Sequence, residues 1–94
     1  MSDLQELRAQ IDEIDNTLIS LFVRRMVLCE QVALFKKAHG LPVLDASREQ
    51  EKLQAVASQA PERLRPDARA LYTQIMELSR NRQRAVIDSG EAEK

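Results

Sequence analysis

The chain has 94 residues, few glycines, prolines and aromatic residues, and 14 basic residues against 15 acidic ones. This length fits one small domain, and the net charge of −1 gives no support to a nucleic-acid or membrane-surface role. With one cysteine, no disulfide can form within this sequence, and no signal peptide or membrane-spanning run is visible. We therefore expect a soluble, cytoplasmic protein of the all-α class.

A long first helix is predicted over residues 3–38, capped by Ser2 or Asp3 and stopped by Gly40 and Pro42. Apolar residues recur there at helical spacing: Leu4, Leu7, Ile11, Ile14, Leu18, Leu21, Leu28, Val32 and Phe35. Such a helix would be about 54 Å long, whereas a compact chain of this length is about 32 Å across. Its ends need cover from a second copy, which predicts an intertwined homodimer.

Two shorter helices are predicted in the rest of the chain. By the same criteria it divides into a loop over 39–44, a helix over 45–60, a linker over 61–66, a helix over 67–87 and a frayed tail over 88–94. Asp45 or Ser47 is the expected cap of the second helix. The prediction is therefore three helices per protomer in a single domain.

Arg25 interrupts the apolar stripe of the first helix, in the slot between Leu21 and Leu28. A permanent cation is costly to bury unless an anion meets it. Lys36 follows Arg25 by eleven residues, so it lies about 16 Å along the helix and within roughly 20° of the same direction. The two side chains can converge on one small molecule. Arg25 can instead set dimer register, and Lys36 can be a solvated helix end.

Polar residues also interrupt the inward faces of the other two helices: Asp45, Glu49 and Lys52 on the second, with Arg48 one turn from Asp45, and Ser79 and Gln83 on the third. Four of them have a structural explanation. Asp45 suffices as a cap, Glu49 suits a first turn, and Ser79 can bond the carbonyl four residues earlier. Gln83 would lie at the surface if the last turns fray. Coincidental burial of several polar groups in so small a core is nevertheless improbable, which favours a ligand site.

Arg8 lies 17 residues before Arg25, about 25 Å along the helix. It cannot reach a ligand held by Arg25 of its own chain, but in a dimer it could reach the ligand held by the other. Cys29 and His39 are interpreted as structural, because a single Cys and a single His cannot supply a metal-ligand set.

Spaced motifs run through the chain: Leu7-Arg8-x-x-Ile11-x-x-Ile14-Asp15, Arg24-Arg25, Lys36, Pro42-Val43-x-Asp45-x-x-Arg48-Glu49 and Glu77-x-Ser79-x-x-x-Gln83. Over residues 4–86 this ordered set resembles the all-helical class of chorismate mutases. The resemblance implies interlocked homodimers of three-helix protomers with two equivalent active sites. It also implies conversion of chorismate to prephenate, on the way to phenylalanine and tyrosine, without a metal or cofactor.

The resemblance further implies which groups hold the two carboxylates of chorismate. Arg25 would clamp one carboxylate, and Arg8 of the partner subunit would hold the other. Ser79 would sit beside a substrate carboxylate, with Arg48 as a supporting charge. Two cations from different helices would then fix the compact conformer of the substrate that the rearrangement requires.

The remaining implied contacts are polar. Lys36 and Gln83 would donate to the ether oxygen of the breaking bond, where negative charge grows in the transition state. Glu49, helped by the backbone of Asp45, would accept from the ring hydroxyl.

Three alternatives stay open from the sequence. One is an isochorismate–pyruvate lyase on the same scaffold, a subfamily that lacks the full Asp-x-x-Arg-Glu pattern present at residues 45–49. Another is a non-enzymatic helical dimerisation module in which Arg25 and Gln83 only set register. The last is a nucleic-acid binder, whose candidate residues on the third helix are Arg80, Arg82 and Arg84. The near-neutral net charge favours a solvated face for these three.

Overall fold

The computed structural model describes residues 3–89, which fold into three α-helices joined by a loop and a short 3₁₀ turn. The helices are α1 (Leu4–His39), α2 (Ala46–Gln59) and α3 (Arg65–Ser89). No strand occurs among the described residues. The prediction of an all-α fold with one very long N-terminal helix is confirmed.

Both ends of α1 are closed by local capping contacts. At the start, the Asp3 carboxylate accepts a hydrogen bond from the backbone N–H of Glu6 at 2.8 Å. At the end, Gly40 adopts φ 66°, and its N–H donates to the carbonyls of Lys36 and Lys37. Only glycine enters this left-handed region without a Cβ penalty. The helix thus runs one residue beyond the predicted 3–38, and His39 belongs to its last turn rather than to the loop.

The α2 helix and the linker after it differ in detail from the prediction. Asp45 caps α2 from outside, its carboxylate accepting from the N–H of Arg48 at 3.1 Å, so the helix spans 46–59 rather than 45–60. The predicted linker over 61–66 contains a 3₁₀ turn at Glu62–Leu64, and α3 already begins at Arg65. Pro66 is tolerated in this first turn because its missing N–H would have no helical partner there.

The α3 helix also ends later than predicted. It continues to Ser89, so the helix prediction of 67–87 was two residues short at each end. Asp88 and Ser89, predicted to fray, are helical. The rest of the predicted tail, residues 90–94, lies outside the described residues, as do Met1 and Ser2.

Packing is centred on α3, which contacts both α1 and α2. Arg25 of α1 contacts Ser79 of α3, and Lys36, further along α1, contacts Gln83, further along α3. The two helices therefore run in the same direction. The buried apolar residues within the described region form a small core: Ala33, Ala57, Met76 and Val86. None of the described helices is long and apolar enough to cross a membrane.

The first half of α1 extends away from this core. We call residues 4–21 the overhang, and every side chain in it is exposed. Its apolar stripe is between 48% and 60% exposed at Leu4, Leu7, Ile11, Ile14, Leu18 and Leu21. The molecule is 56 Å along its longest axis, and its radius of gyration of 16.7 Å exceeds the roughly 12 Å expected of a compact chain. The helix therefore extends well beyond the core of its own chain, as its length predicted.

Candidate active site

One pocket of about 290 Å³ lies between the second half of α1, the start of α2 and α3. This volume is at the lower end of the range for small-molecule sites, about 300–1,000 Å³. The pocket is lined by seven of the eight residues predicted from the sequence: Arg25, Lys36, Asp45, Arg48, Glu49, Ser79 and Gln83. Arg8 is not among its lining residues, because it lies on the exposed overhang about 25 Å away along α1.

Arg25 is positioned by neutral groups. Its guanidinium donates to the Ser79 hydroxyl at 2.6 Å and lies 3.8 Å from the Cys29 sulfur. Ser79 in turn donates to the carbonyl of Ile75 at 2.9 Å, so it bonds back along its own helix and also faces the site. No carboxylate of residues 3–89 forms a salt bridge with Arg25. Its positive charge remains available for an anionic ligand.

Lys36 and Gln83 meet across the interface between α1 and α3. The Lys36 ammonium donates to the Gln83 side-chain oxygen at 3.2 Å and to the backbone carbonyl of Val43 at 2.6 Å. Gln83 is only 6% exposed, so the alternative that it lies at a frayed surface is wrong. Because its oxygen accepts from Lys36, the amide N–H groups of Gln83 remain as donors toward the pocket.

Arg80 also lines the pocket, although the sequence analysis assigned it to a solvated face. Its guanidinium forms an ion pair with the Glu49 carboxylate at 2.5 Å, and the two side chains are 23% and 22% exposed. The solvated-face prediction was therefore wrong for Arg80. The helical spacing carried the missing signal, because Arg80 lies three residues before Gln83 and so beside it on α3.

The other two arginines of that group lie away from the pocket lining. Arg82 pairs with Glu30 of α1 at 2.7 Å, which joins α3 to α1, and Arg84 is exposed. The solvated-face prediction therefore describes Arg84 alone.

Basic side chains outnumber acidic ones in the pocket lining. Within the described residues the pocket is lined by five basic groups, Arg25, Lys36, Arg48, Lys52 and Arg80, and by two acidic groups, Asp45 and Glu49. An excess of three positive charges in a concave site attracts an anionic ligand. No cluster of three or more His, Cys, Asp or Glu residues within 3–89 is arranged to hold a metal ion.

The sequence matches a known family over most of its length. Residues 7–84 match the family described as chorismate mutase type II. The chain therefore belongs to this family, which confirms the resemblance drawn from the spaced motifs.

Curated relatives of the chain match over shorter segments. It is 46% identical over 55 residues to the T-protein of Haemophilus influenzae, a stretch covering 58% of this chain and 15% of the relative. It is 38% identical over 47 residues to the 4-amino-4-deoxychorismate mutase of Streptomyces venezuelae, covering 50% and 46%. It is 44% identical over 46 residues to the chorismate mutase of Methanocaldococcus jannaschii, covering 49% and 46%. The matched stretches span less than half of each relative, and no solved structure matches the chain significantly.

Proposed function

We propose that this chain is an enzyme that rearranges chorismate to prephenate in the biosynthesis of phenylalanine and tyrosine. The observation that carries the proposal is the pocket, where cations and neutral donors from three helices face one space of about 290 Å³. Its lining residues lie within the segment that matches the chorismate mutase family. The excess of positive charge suits a dicarboxylate substrate.

The reaction is an intramolecular rearrangement in which a C–O bond breaks while a C–C bond forms. It needs the substrate in a compact conformation that brings the two reacting carbons together. Arg25 holds one carboxylate by charge-assisted hydrogen bonds, and Ser79 fixes the guanidinium that makes them. Holding the substrate in this way lowers the entropic part of the barrier.

Lys36 and Gln83 stabilise the transition state. As the C–O bond breaks, negative charge develops on the ether oxygen, and these two donors face it from different helices. The hydrogen bond between them fixes both groups before the substrate arrives. The donors therefore need little reorganisation during the reaction.

Glu49 accepts a hydrogen bond from the ring hydroxyl, and the backbone at Asp45 assists it. Arg48 lies in the first turn of α2, where its backbone N–H donates to the capping carboxylate of Asp45. Its side chain adds positive charge at this edge of the pocket. These contacts orient the ring without taking part in the bond changes.

The homodimer belongs to the same proposal. The overhang carries seven large apolar side chains that are about half exposed, and a second copy of the chain supplies the apolar cover they need. In such a dimer Arg8 of one subunit reaches the pocket of the other and holds the second carboxylate. The cytoplasmic location expected from the sequence stays a prediction.

The activity is tested by incubating the protein separately with chorismate and with isochorismate. Loss of chorismate with formation of prephenate is the expected result. Formation of pyruvate from isochorismate would instead identify a lyase on the same scaffold. If a folded, helical protein converts neither compound, the proposal is rejected, and the non-enzymatic dimerisation module is the alternative that remains.

The shared site is tested by mixing two inactive variants, Arg8→Ala and Arg25→Ala. A mixed dimer contains one intact site, formed by Arg25 of one subunit and Arg8 of the other. With random subunit exchange, we expect the mixture to regain about a quarter of the wild-type activity. If each variant alone is inactive and the mixture stays inactive despite exchange, Arg8 does not act across the dimer.

The Streptomyces venezuelae relative suggests a second candidate substrate. That protein is a 4-amino-4-deoxychorismate mutase, whose substrate carries an amino group in place of the ring hydroxyl. The same rearrangement of this amino compound is therefore the alternative reaction for the present pocket. The two substrates differ only at the substituent that Glu49 is proposed to contact.

A further inference from the structure

Arg80 lines the pocket, and the proposed mechanism assigns it no role. It projects from α3, one position after Ser79, and reaches across the pocket to α2. There its guanidinium contacts one oxygen of the Glu49 carboxylate at 2.5 Å. Both side chains are about three-quarters buried, so the ion pair is shielded in part from water.

This ion pair restricts how Glu49 can meet a ligand. A carboxylate has two oxygens, and Arg80 occupies Oε1. The other oxygen, Oε2, remains to accept a hydrogen bond from a group in the pocket. Because the guanidinium is a permanent cation held close to the carboxylate, Glu49 is both oriented and electrically compensated before substrate enters.

The same cation affects which ring substituent the pocket accepts. A hydroxyl group is neutral and donates to the free carboxylate oxygen without a charge penalty. An aliphatic amine is protonated at neutral pH, so it would bring a positive charge close to Arg80. The pocket already has more cations than carboxylates, and Glu49 cannot serve as an uncompensated counter-ion.

We infer that Arg80 is a positioning residue that holds Glu49 for a ring hydroxyl and makes the site select this hydroxyl over a protonated amine. The inference rests on the proposed function and refines its substrate class. Arg80 acts through Glu49 and has no direct part in the bond changes.

The test compares the kcat/KM of chorismate with that of 4-amino-4-deoxychorismate in matched variants. Wild-type protein is expected to prefer chorismate. Arg80→Met removes the cation while keeping much of the side-chain length, and we expect it to lower the chorismate-to-amino ratio by about tenfold or more. Arg80→Lys keeps the charge and should retain most of the ratio. A purely structural role would lower both kcat/KM values together and leave the ratio unchanged.

Two controls separate this effect from general damage. Arg82→Met breaks the ion pair with Glu30, which lies outside the pocket lining, and should leave the ratio unchanged. In a Glu49→Gln background, Arg80→Met should change the ratio less than it does in the wild-type background, because no carboxylate is then released to act as a counter-ion for the amine. If Arg80→Met loses its helical circular-dichroism signal, Arg80→Gln is measured in its place.

The outcomes distinguish the inference from the function on which it rests. An unchanged ratio in a folded Arg80→Met or Arg80→Gln variant overturns the inference and leaves the mutase activity standing. A wild-type preference for the amino substrate does the same. Failure of wild-type protein to rearrange either substrate rejects the proposed function, and the inference with it.

Discussion

The two halves of α1 share one pattern and have different environments. The overhang, residues 4–21, and the second half, residues 22–39, both carry apolar residues at helical spacing. Every side chain of the overhang is exposed, whereas the second half buries Ala33 and partly buries Arg25 and Lys36. The second half is the part that forms side-chain hydrogen bonds with α3, from Arg25 to Ser79, from Lys36 to Gln83 and from Arg82 to Glu30. Periodicity thus predicts a helix but not which part of it finds a partner within the protomer.

Polar residues interrupt the stripe of only one of the two halves. The stripe of the overhang is apolar throughout, from Leu4 to Leu21, as expected of a surface that another protein covers. In the second half, Arg25 and Lys36 face the same side as the apolar residues and line the pocket. One half of the helix is thus suited to association and the other to ligand binding.

The largest expected effect comes from removing the positive charge of Arg25 in the second half of α1. Arg25→Ala should lower kcat/KM for chorismate by at least about a thousandfold, because substrate orientation and charge-assisted hydrogen bonds are lost together. The far-UV circular dichroism should remain helical. Arg24→Ala, which alters the exposed neighbouring arginine, is the matched control and should retain most of the activity. Near-wild-type turnover by Arg25→Ala would contradict the carboxylate clamp.

Charges introduced into the apolar stripe of the overhang should prevent the proposed dimer from forming. The double variant Ile11→Asp with Ile14→Asp places two carboxylates in the apolar stripe and should halve the mass measured by light scattering. Activity should fall by about a hundredfold, because Arg8 no longer reaches the second pocket. Asn16→Asp, on the opposite face of the same segment, should change neither mass nor activity. An active monomer would show that each pocket is complete within one chain.

The pH dependence of Gln83→Glu tests the donor that α3 places beside Lys36 of the second half. Gln83 donates at every pH, whereas a carboxyl group in its place donates only when protonated, and its protonated fraction rises as pH falls. The kcat/KM of this variant should therefore increase toward acid pH across about pH 4 to 8. Gln83→Met, which lacks a donor, should be weakly active with no such rise. A flat profile in Gln83→Glu would argue against donation to the ether oxygen.

The smallest expected effect is at the end of α1 next to the pocket. Gly40→Ala should lower the free energy of unfolding by about 1 kcal/mol, because a Cβ is disfavoured at positive φ. No heavy atom lies within 4 Å of the added Cβ, so the cost comes from the backbone alone. Gly40→Asn, which tolerates the left-handed region, should recover part of the loss in urea unfolding. Equal stability of all three proteins would show that this cap contributes little.

Much of the fold and of the site could be predicted from sequence because the signals are local. Asp3 and Gly40 bound α1, and Asp45 caps α2, through contacts within about one helical turn. The start of α3 was misplaced because two prolines suggested a linker, whereas Pro66 fits the first turn of a helix.

The sequence by itself determined the three helices, their caps and the polar residues that interrupt their apolar faces, since spacing along a helix sets which side chains share a face. Only the tertiary structure decided how those faces meet. It buried Gln83 against Lys36, left the overhang uncovered, and paired Arg80 with Glu49, 31 residues away in the chain. Such contacts depend on the packing of α3 against two other helices, which no local pattern specifies. Seven of the residues that line the pocket were therefore named from the sequence, but the charge that compensates Glu49 was not.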